Sequence, residues 1–225
     1  MYRLFIKRLL DIIFSVIFII LFAPLMLIIA IIIRKDGGNA IFVQKRSGKN
    51  NVAFNIYKFR TMQIDNDVHD FNCEDKMTKY GRFLKNTSLD ELPQLFNILK
   101  GDMSFIGPRP WIVDYSKYFT TKQMKRLSVK PGLTGLAQCH GRNNITINEK
   151  INYDVKYVSN VSLIGDIKII ILTIKSMLKK EGSSAGKFVI KNELQELKNQ
   201  SRYKRIVIKH DMIDDINPIF ESTFK

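Results

Sequence analysis

The stretch LDELPQLFNILKGDMSFIGPRP, residues 89–110, joins an apolar helical pattern to two adjacent carboxylates, Asp90 and Glu91. Ser88 and Glu91 fit the S-x-x-E capping box, and Pro93 is tolerated in a first helical turn, so one interpretation is a helix start. The other is a reactive site, because adjacent helical positions point about 100° apart and can serve a phosphorus atom and a metal separately. A helix N-terminus would also keep Asp90 ionised and attract phosphate. Both interpretations remain open from this stretch alone.

The end of the stretch, Pro108-Arg109-Pro110, places an arginine between two prolines. Pro108 fixes its own backbone and Pro110 restricts the residue before it, so the guanidinium of Arg109 is rigidly presented. A planar guanidinium is suited to bidentate phosphate binding. A surface turn is the alternative interpretation.

Three further cations are candidates for the same site. Lys58 and Arg60 stand two apart in a strand-like run, so they point to one face. Arg142 follows a glycine in a polar loop. Each of the three is equally compatible with a solvated surface.

The whole chain has 225 residues and a formal net charge of +15, from 36 basic and 21 acidic side chains. That length accommodates one domain with a core plus an appendage. The charge indicates a polyanionic partner: nucleic acid, an anionic membrane surface or phosphorylated substrates. Cys73 and Cys139 stand alone, so there is no disulfide or zinc pattern.

Residues 12–33 decide between these partners, because they carry no charge and are long enough to span a bilayer. The apolar run is too long for a cleavable signal, and no small-residue cleavage site follows it. We therefore predict a permanent membrane segment and no nucleic-acid partner.

The arrangement of this segment in the membrane has two interpretations. Basic residues flank both ends, which pulls both toward the cytoplasm: Arg3, Lys7, Arg8, Arg34 and Lys35. Pro24 divides the run into halves of roughly 15–18 Å, about half the hydrocarbon thickness. A helical hairpin broken at Pro24 fits both observations. A spanning helix kinked at Pro24 is the alternative.

The rest of the chain predicts an α+β, mainly helical fold. Runs at 40–46 and 54–62 around a polar turn indicate a small β-hairpin that brings four basic residues close together: Lys45, Arg46, Lys58 and Arg60. Further segments are predicted as a mobile loop (63–77), helices (78–85, 90–99, 147–160 and 165–180), a polar helical stretch after residue 110, an irregular loop (129–144) and a tail (182–225). The helix at 165–180 is basic and amphipathic, so it either lies in the headgroup plane or packs on the core.

The combined string YKFRTM (57–62), SLDELPQLFNILKGDMSFIGPRP (88–110) and KPGLTGLAQCHGRN (130–143) resembles bacterial sugar transferases known as small monotopic phosphoglycosyl transferases, nearest to the bacillosaminyl-phosphate transferase type. The resemblance covers about residues 1–185. It implies a re-entrant membrane helix (1–35), a cytoplasmic catalytic domain with interfacial amphipathic helices (36–181), and a linker and tail of unknown role (182–225).

The resemblance also implies a reaction: transfer of a sugar phosphate from a UDP-sugar to polyprenol (undecaprenyl) phosphate, with release of UMP and with Mg2+ as cofactor. Asp90 would attack the phosphate next to the sugar and form a covalent intermediate, while Asp90 and Glu91 would bind the metal. The implied phosphate- and substrate-binding residues are Lys58, Arg60, Lys85, Arg109 and Arg142. Lys85 stands where relatives can carry arginine.

The implied location is the cytoplasmic face of the bacterial inner membrane, with a monotopic arrangement and anionic lipids as partners. The break would fall at Ala23-Pro24, where the family often has serine before the proline. A homodimer is kept as an open alternative to a monomer.

A rival hypothesis is a non-catalytic membrane scaffold or regulator that binds anionic lipid through its basic face. The carboxylate pair discriminates against it, since such a scaffold has no use for two carboxylates beside its cations. The sequence does not identify the sugar or the glycoconjugate pathway: N-acetylated deoxy-sugars follow from the resemblance only, and galactose and glucose remain open.

Overall fold

A computed structural model describes residues 2–63, 77–141, 145–178 and 198–199. Within these residues the fold is mainly helical, with two small two-stranded sheets. The helices are α1 (Lys7–Lys35), α2 (Lys79–Thr87), α3 (Gln94–Lys100), α4 (Thr121–Met124), α5 (Leu136–Cys139), α6 (Ile147–Ser159) and α7 (Leu163–Leu178). The strands are β1 (Ile41–Ser47), β2 (Ala53–Phe59), β3 (Ser104–Ile106) and β4 (Gly132–Thr134). The predicted α+β, mainly helical class is confirmed.

The predicted β-hairpin is present, with β1 and β2 antiparallel. Its register separates the four basic residues that we expected close together. Lys45 pairs with Asn55 and therefore lies on the opposite face from Arg46, which pairs with Phe54. Lys58 shares the face of Arg46, but it lies four residues along β2 from Phe54, which is the partner of Arg46. The predicted basic cluster is therefore wrong as a set, because strand alternation divides it.

The predicted irregular loop at 129–144 is also wrong in part. Residues 132–134 form β4, which runs parallel to β3, and α5 follows directly. The glycines explain the difference. A Cβ on Gly132 would lie 2.1 Å from the backbone nitrogen of Gly107, so only glycine lets these two strands approach. Gly132 marks a close backbone contact here and not a loop.

The apolar N-terminal segment forms one continuous helix, α1, with Pro24 in its interior. It is long and apolar enough to cross a membrane by length and composition. The predicted division into two helices at Ala23-Pro24 is not observed. Residues on both sides of Pro24 pack against the same domain: Phe18 contacts a cluster around Ile98, and Ile29 and Ile33 lie in a cluster with Phe59 and Leu84.

Contacts of the first turns of α1 fasten it to the domain. Lys7 Nζ lies 2.5 Å from an Asp166 carboxylate oxygen. Arg8 donates to the carbonyl oxygens of Ile98 (2.6 Å) and Leu99 (2.8 Å) at the end of α3. Both carbonyls lie in the last turn of α3, where helices leave carbonyls short of partners, and Ile98 O also accepts from the Gly101 amide at 3.1 Å, so Arg8 completes the helix end. Two of the basic residues that we counted as membrane flanks, Lys7 and Arg8, therefore bind within the protein.

The outward faces of α1 and α7 are apolar. On α7 the buried side chains are Asp166, Ile169 and Ser176, whereas Ile167 and Ile171 are each 48% exposed. The helix thus packs on the core through Ile169, as one of the two interpretations predicts, whereas its isoleucine face at Ile167 and Ile171 is exposed. On α1, Leu21 and Leu27 are both 63% exposed.

Candidate active site

The carboxylate pair lies in a single 3-10 turn, Leu89–Glu91, between α2 and α3. Ser88 adopts left-handed backbone angles (φ 60°), ends α2 and makes no side-chain cap bond. The predicted capping box at Ser88 is therefore wrong, because this residue reverses the chain through its backbone. Leu89 and Leu92 on either side of the pair pack against the cluster that contains Ile33 of α1. The turn is therefore anchored on α1.

Asn97 fixes α3 against the hairpin. Its side chain accepts from the Tyr57 backbone nitrogen at 3.0 Å and donates to the Asn55 carbonyl oxygen at 2.7 Å. Asn97 is fully buried, so leaving either bond unmade would be costly. Because Lys58 follows Tyr57 directly, this clamp also sets where Lys58 meets the carboxylate turn.

Glu91 binds two of the predicted cations at one oxygen. Its Oε1 lies 2.7 Å from Lys58 Nζ and 2.9 Å from Arg109 Nη2. Burial alone would raise the pKa of Glu91, but the charges of Arg109 and Lys58 and their hydrogen bonds hold it well below its usual range. Glu91 therefore stays ionised and fixes the positions of both cations.

Asp90 is held differently from its neighbour. Among the described residues, none forms a hydrogen bond or an ion pair with its carboxylate. Burial raises the pKa of Asp90 to about 6, and the charge of Glu91 adds to this, against the opposing effect of Lys58 and Arg109. Our expectation that a helix N-terminus keeps Asp90 ionised is wrong, because α3 begins only at Gln94. With this pKa, Asp90 is still mostly ionised at pH 7.

Arg46 is a cation of this site that we did not predict. It is half-buried, and burial together with the charge of Arg109 lowers its pKa to about 10. The charges of Glu91 and the Tyr115 side chain oppose this shift. The pairing of the predicted hairpin was the signal that could have identified Arg46, because it places Arg46 on the same face as Lys58.

The other predicted residues are placed less closely. Lys85 is exposed on α2, but its charge acts on Asp90. Arg60 follows β2, and in the described part of the chain no hydrogen bond or ion pair joins it to the carboxylate turn; its Nη1 is buried without a partner there. Arg142 lies outside the described residues. Ala23 and Pro24 are exposed on α1.

The fold and the site define a protein that has a long apolar helix beside a carboxylate pair surrounded by basic side chains. Residues 2–180 match the sequence model of the bacterial sugar transferases. The chain belongs to the bacterial sugar transferase family.

Similar curated proteins are named as transferases. The galactosyl transferase CpsE of Streptococcus agalactiae is 46% identical over 194 residues, which are 79% of this chain and 43% of that protein. The undecaprenyl-phosphate galactose phosphotransferase of Salmonella typhimurium is 38% identical over 198 residues (80% and 42%). The UDP-glucose:undecaprenyl-phosphate glucose-1-phosphate transferase of Caulobacter vibrioides is 37% identical over 190 residues (79% and 71%). The chain thus spans less than half the length of the first two relatives.

Proposed function

We propose that this protein transfers a sugar 1-phosphate from a UDP-sugar to undecaprenyl phosphate and releases UMP. One observation carries the proposal: Asp90 is a partly buried carboxylate without a partner among the described residues, beside cations that Glu91 holds in place. The names of the Salmonella and Caulobacter relatives support the lipid acceptor and the reaction class. The product would start the membrane stage of glycoprotein, capsule or O-antigen biosynthesis.

The reaction proceeds in two displacements at one phosphorus atom. A carboxylate oxygen of Asp90 attacks the phosphorus next to the sugar, and the bond from this phosphorus to the bridging oxygen breaks, so UMP leaves with the electron pair. The product is an acyl phosphate on Asp90. An oxygen of undecaprenyl phosphate then attacks the same phosphorus and releases the Asp90 carboxylate.

The cations stabilise charge that builds up on the phosphoryl oxygens and on departing UMP. Arg109 is 47% exposed at its side chain, so its remaining donors are accessible to a substrate phosphate. Lys58 is more enclosed, at 21%. Glu91 keeps both from pairing with Asp90, which preserves the nucleophile.

The carboxylate pair also fits Mg2+. The Asp90 carboxylate and the second oxygen of Glu91 have no hydrogen-bond or ion-pair partner within the described ranges. The described residues contain no group of three side chains that could bind a metal ion. Two carboxylates are nevertheless sufficient, because Mg2+ commonly uses one or two carboxylates plus substrate phosphates. Asp90 and Glu91 would hold the ion, which supplies charge neutralisation at the phosphates when it is bound.

The membrane arrangement that we propose is monotopic, on the cytoplasmic face, with both ends of α1 on the side of the domain. A straight helix of this length would place its ends about 42 Å apart. Yet Arg8 near one end and Ile33 near the other both contact the same domain, which supports placing both ends on one side. The exposed apolar faces of α1 and α7 would lie in the acyl and headgroup region, where anionic lipids meet the basic side chains.

The direct test is UMP release by purified protein from UDP-sugars with undecaprenyl phosphate and Mg2+. The names of the relatives make UDP-galactose and UDP-glucose the first substrates to test, followed by UDP-linked N-acetylated deoxy-sugars. We expect release with at least one of them and none with Asp90→Asn. Binding to anionic vesicles without UMP release from any donor would favour the rival scaffold function.

A further inference from the structure

Arg126 is a buried arginine to which the sequence analysis gave no role. Only 1% of its surface is exposed, and it is among the largest fully buried side chains of the described residues. A buried guanidinium requires a counter-charge and hydrogen-bond partners. We infer that Arg126 is a positioning residue, which fixes the backbone of Arg109 from inside the domain and thereby aims its guanidinium at the substrate. This inference rests on the proposed function.

The contacts of Arg126 join three parts of the fold. Its Nε and Nη2 donate to Asp154 Oδ2 of α6 at 3.0 and 2.7 Å. Its Cζ lies 4.4 Å from the ring centre of Trp111. Its Nη2 also donates to the carbonyl oxygen of Arg109 at 2.7 Å. One planar group thus links α6, an aromatic ring and the backbone of the phosphate-binding turn.

The neighbouring carbonyls of this turn are held from other directions. The Pro108 oxygen accepts from the Gly132 nitrogen at 3.0 Å, and the Trp111 oxygen accepts from the Ser47 nitrogen at 2.8 Å. Arg126 holds the carbonyl between them. With its peptide fixed on the inner side, Arg109 extends outward and reaches Glu91 at 2.9 Å.

An arginine is required at this position for geometric reasons. The side chain must pair with Asp154, bond a carbonyl in the same plane and present its face to Trp111 at once. A lysine keeps the charge opposite Asp154 but lacks the planar fork and the stacking face. Arg126→Lys is therefore a variant that preserves the ion pair while it loosens the Arg109 carbonyl.

Hydrogen exchange tests this inference without any assay of activity. The amides of Ser47, Gly107 and Gly132 donate in or beside the turn, so they report on its opening. In Arg126→Lys we expect them to exchange about tenfold faster than in the wild type. The matched control is Thr146→Ala, which removes the capping box of α6 but leaves Asp154 in place. Unchanged exchange at these amides in Arg126→Lys, relative to this control, would overturn the inference.

A double-mutant cycle tests the functional part. Arg126→Lys should lower kcat/KM about tenfold in the wild type but less than about twofold in an Arg109→Lys background, because the effect passes through Arg109. Equal losses in both backgrounds would show that Arg126 does not act through Arg109. If the wild type released no UMP from any donor, the proposed function would fail, and hydrogen exchange would still decide whether Arg126 holds the turn.

Discussion

At the scale of single residues, Glu91 accepts hydrogen bonds from Lys58 and Arg109, whereas the adjacent Asp90 accepts none within the described ranges. The same cations therefore lower the pKa of Glu91 strongly, while burial dominates at Asp90 and raises its pKa to about 6. Environments that push two pKa values apart assign different roles to the two groups. Glu91 organises the cations, and Asp90 is the candidate nucleophile.

The raised pKa of Asp90 predicts that its ionised carboxylate lowers the stability of the folded protein at neutral pH. A carboxyl with a folded pKa of about 6 and an ordinary value of 3.8 favours folding when it is protonated. That contribution is lost as the pH rises from about 4 through 6. In metal-free buffer at pH 7–8, Asp90→Asn should therefore be more stable than the wild type by about 1–2 kcal/mol, and the difference should shrink below pH 6. Thermal unfolding between pH 4 and 8 measures it.

Glu91→Gln is the matched control, and it should change the stability in the opposite direction. The folded pKa of Glu91 lies below its ordinary 4.5, so the ionised form stabilises the protein at neutral pH, and this stability is lost as the pH falls. Glu91→Gln should therefore unfold at lower temperature than the wild type at pH 7. Equal stability of Asp90→Asn and wild type at every pH would contradict the buried environment of Asp90.

Arg109→Lys tests the proposal that the Arg109 guanidinium binds a substrate phosphate. The variant keeps the charge but loses the planar two-donor geometry. Loss of a charge-assisted bond of about 1.5–3 kcal/mol should lower kcat/KM roughly ten- to hundredfold. Arg82→Lys on the exposed side of α2 is the control and should retain its activity. Wild-type kinetics in Arg109→Lys would leave Arg109 as a turn residue without a role in binding.

The limits of prediction at this scale are visible at Ser88. The S-x-x-E pattern was present, but a pattern cannot report a backbone angle, and Ser88 takes φ 60°. The position of Lys58 and Arg109 beside the carboxylate pair agrees with the sequence prediction of one shared site. The lack of a partner for Asp90 among the described residues could not be predicted, because it depends on Glu91 binding both Lys58 and Arg109.

At the scale of elements, the amphipathic pattern of α7 predicted a helix but not its orientation. The side that packs inward carries Asp166 and Ser176, and Asp166 accepts from Tyr157 (2.9 Å) and Tyr2 (2.6 Å). Tyr2 lies 164 residues away along the chain and Tyr157 belongs to the preceding helix, α6, so the pattern of α7 itself contains neither partner. Similarly, hydropathy predicted α1, but the contact of Arg8 with α3 was invisible in sequence.

The exposed isoleucine face of α7 should contact lipid. In a background without Cys73 and Cys139, a polarity-sensitive fluorophore on Ile171→Cys should shift its emission to shorter wavelength in vesicles, because that side chain is 48% exposed on the apolar face. The same probe on Asn55→Cys, an exposed position of β2, should not shift. Identical spectra at both positions would place α7 away from the membrane.

At the scale of the whole molecule, contacts along α1 predict that both of its ends lie on the cytoplasmic side. Phe5 precedes α1 and is 71% exposed, and Asn39 follows it and is exposed. In intact cells, Phe5→Cys and Asn39→Cys should both resist a membrane-impermeant maleimide, and both should react after lysis. Labelling of Phe5→Cys from outside would show that α1 crosses the bilayer and would exclude the monotopic arrangement.

The overall architecture was predictable as far as the three sequence motifs extend along the chain. Membership of the family, confirmed over residues 2–180, explains why the distant stretches at 57–62, 88–110 and 130–143 were expected to form one unit. The parallel pairing of β3 with β4 was not predictable, because two three-residue strands carry too little periodicity to be recognised.

The measurement that tests the central claim most directly is the mass of the intact protein after incubation with a UDP-sugar and Mg2+ but no lipid acceptor. The wild type should gain the mass of one sugar phosphate. That adduct should map to Asp90, be cleaved by hydroxylamine and disappear when undecaprenyl phosphate is added, and Asp90→Asn should gain nothing. UMP release without an adduct under single-turnover conditions, or equal turnover in Asp90→Asn, would contradict the assignment of Asp90 as the nucleophile.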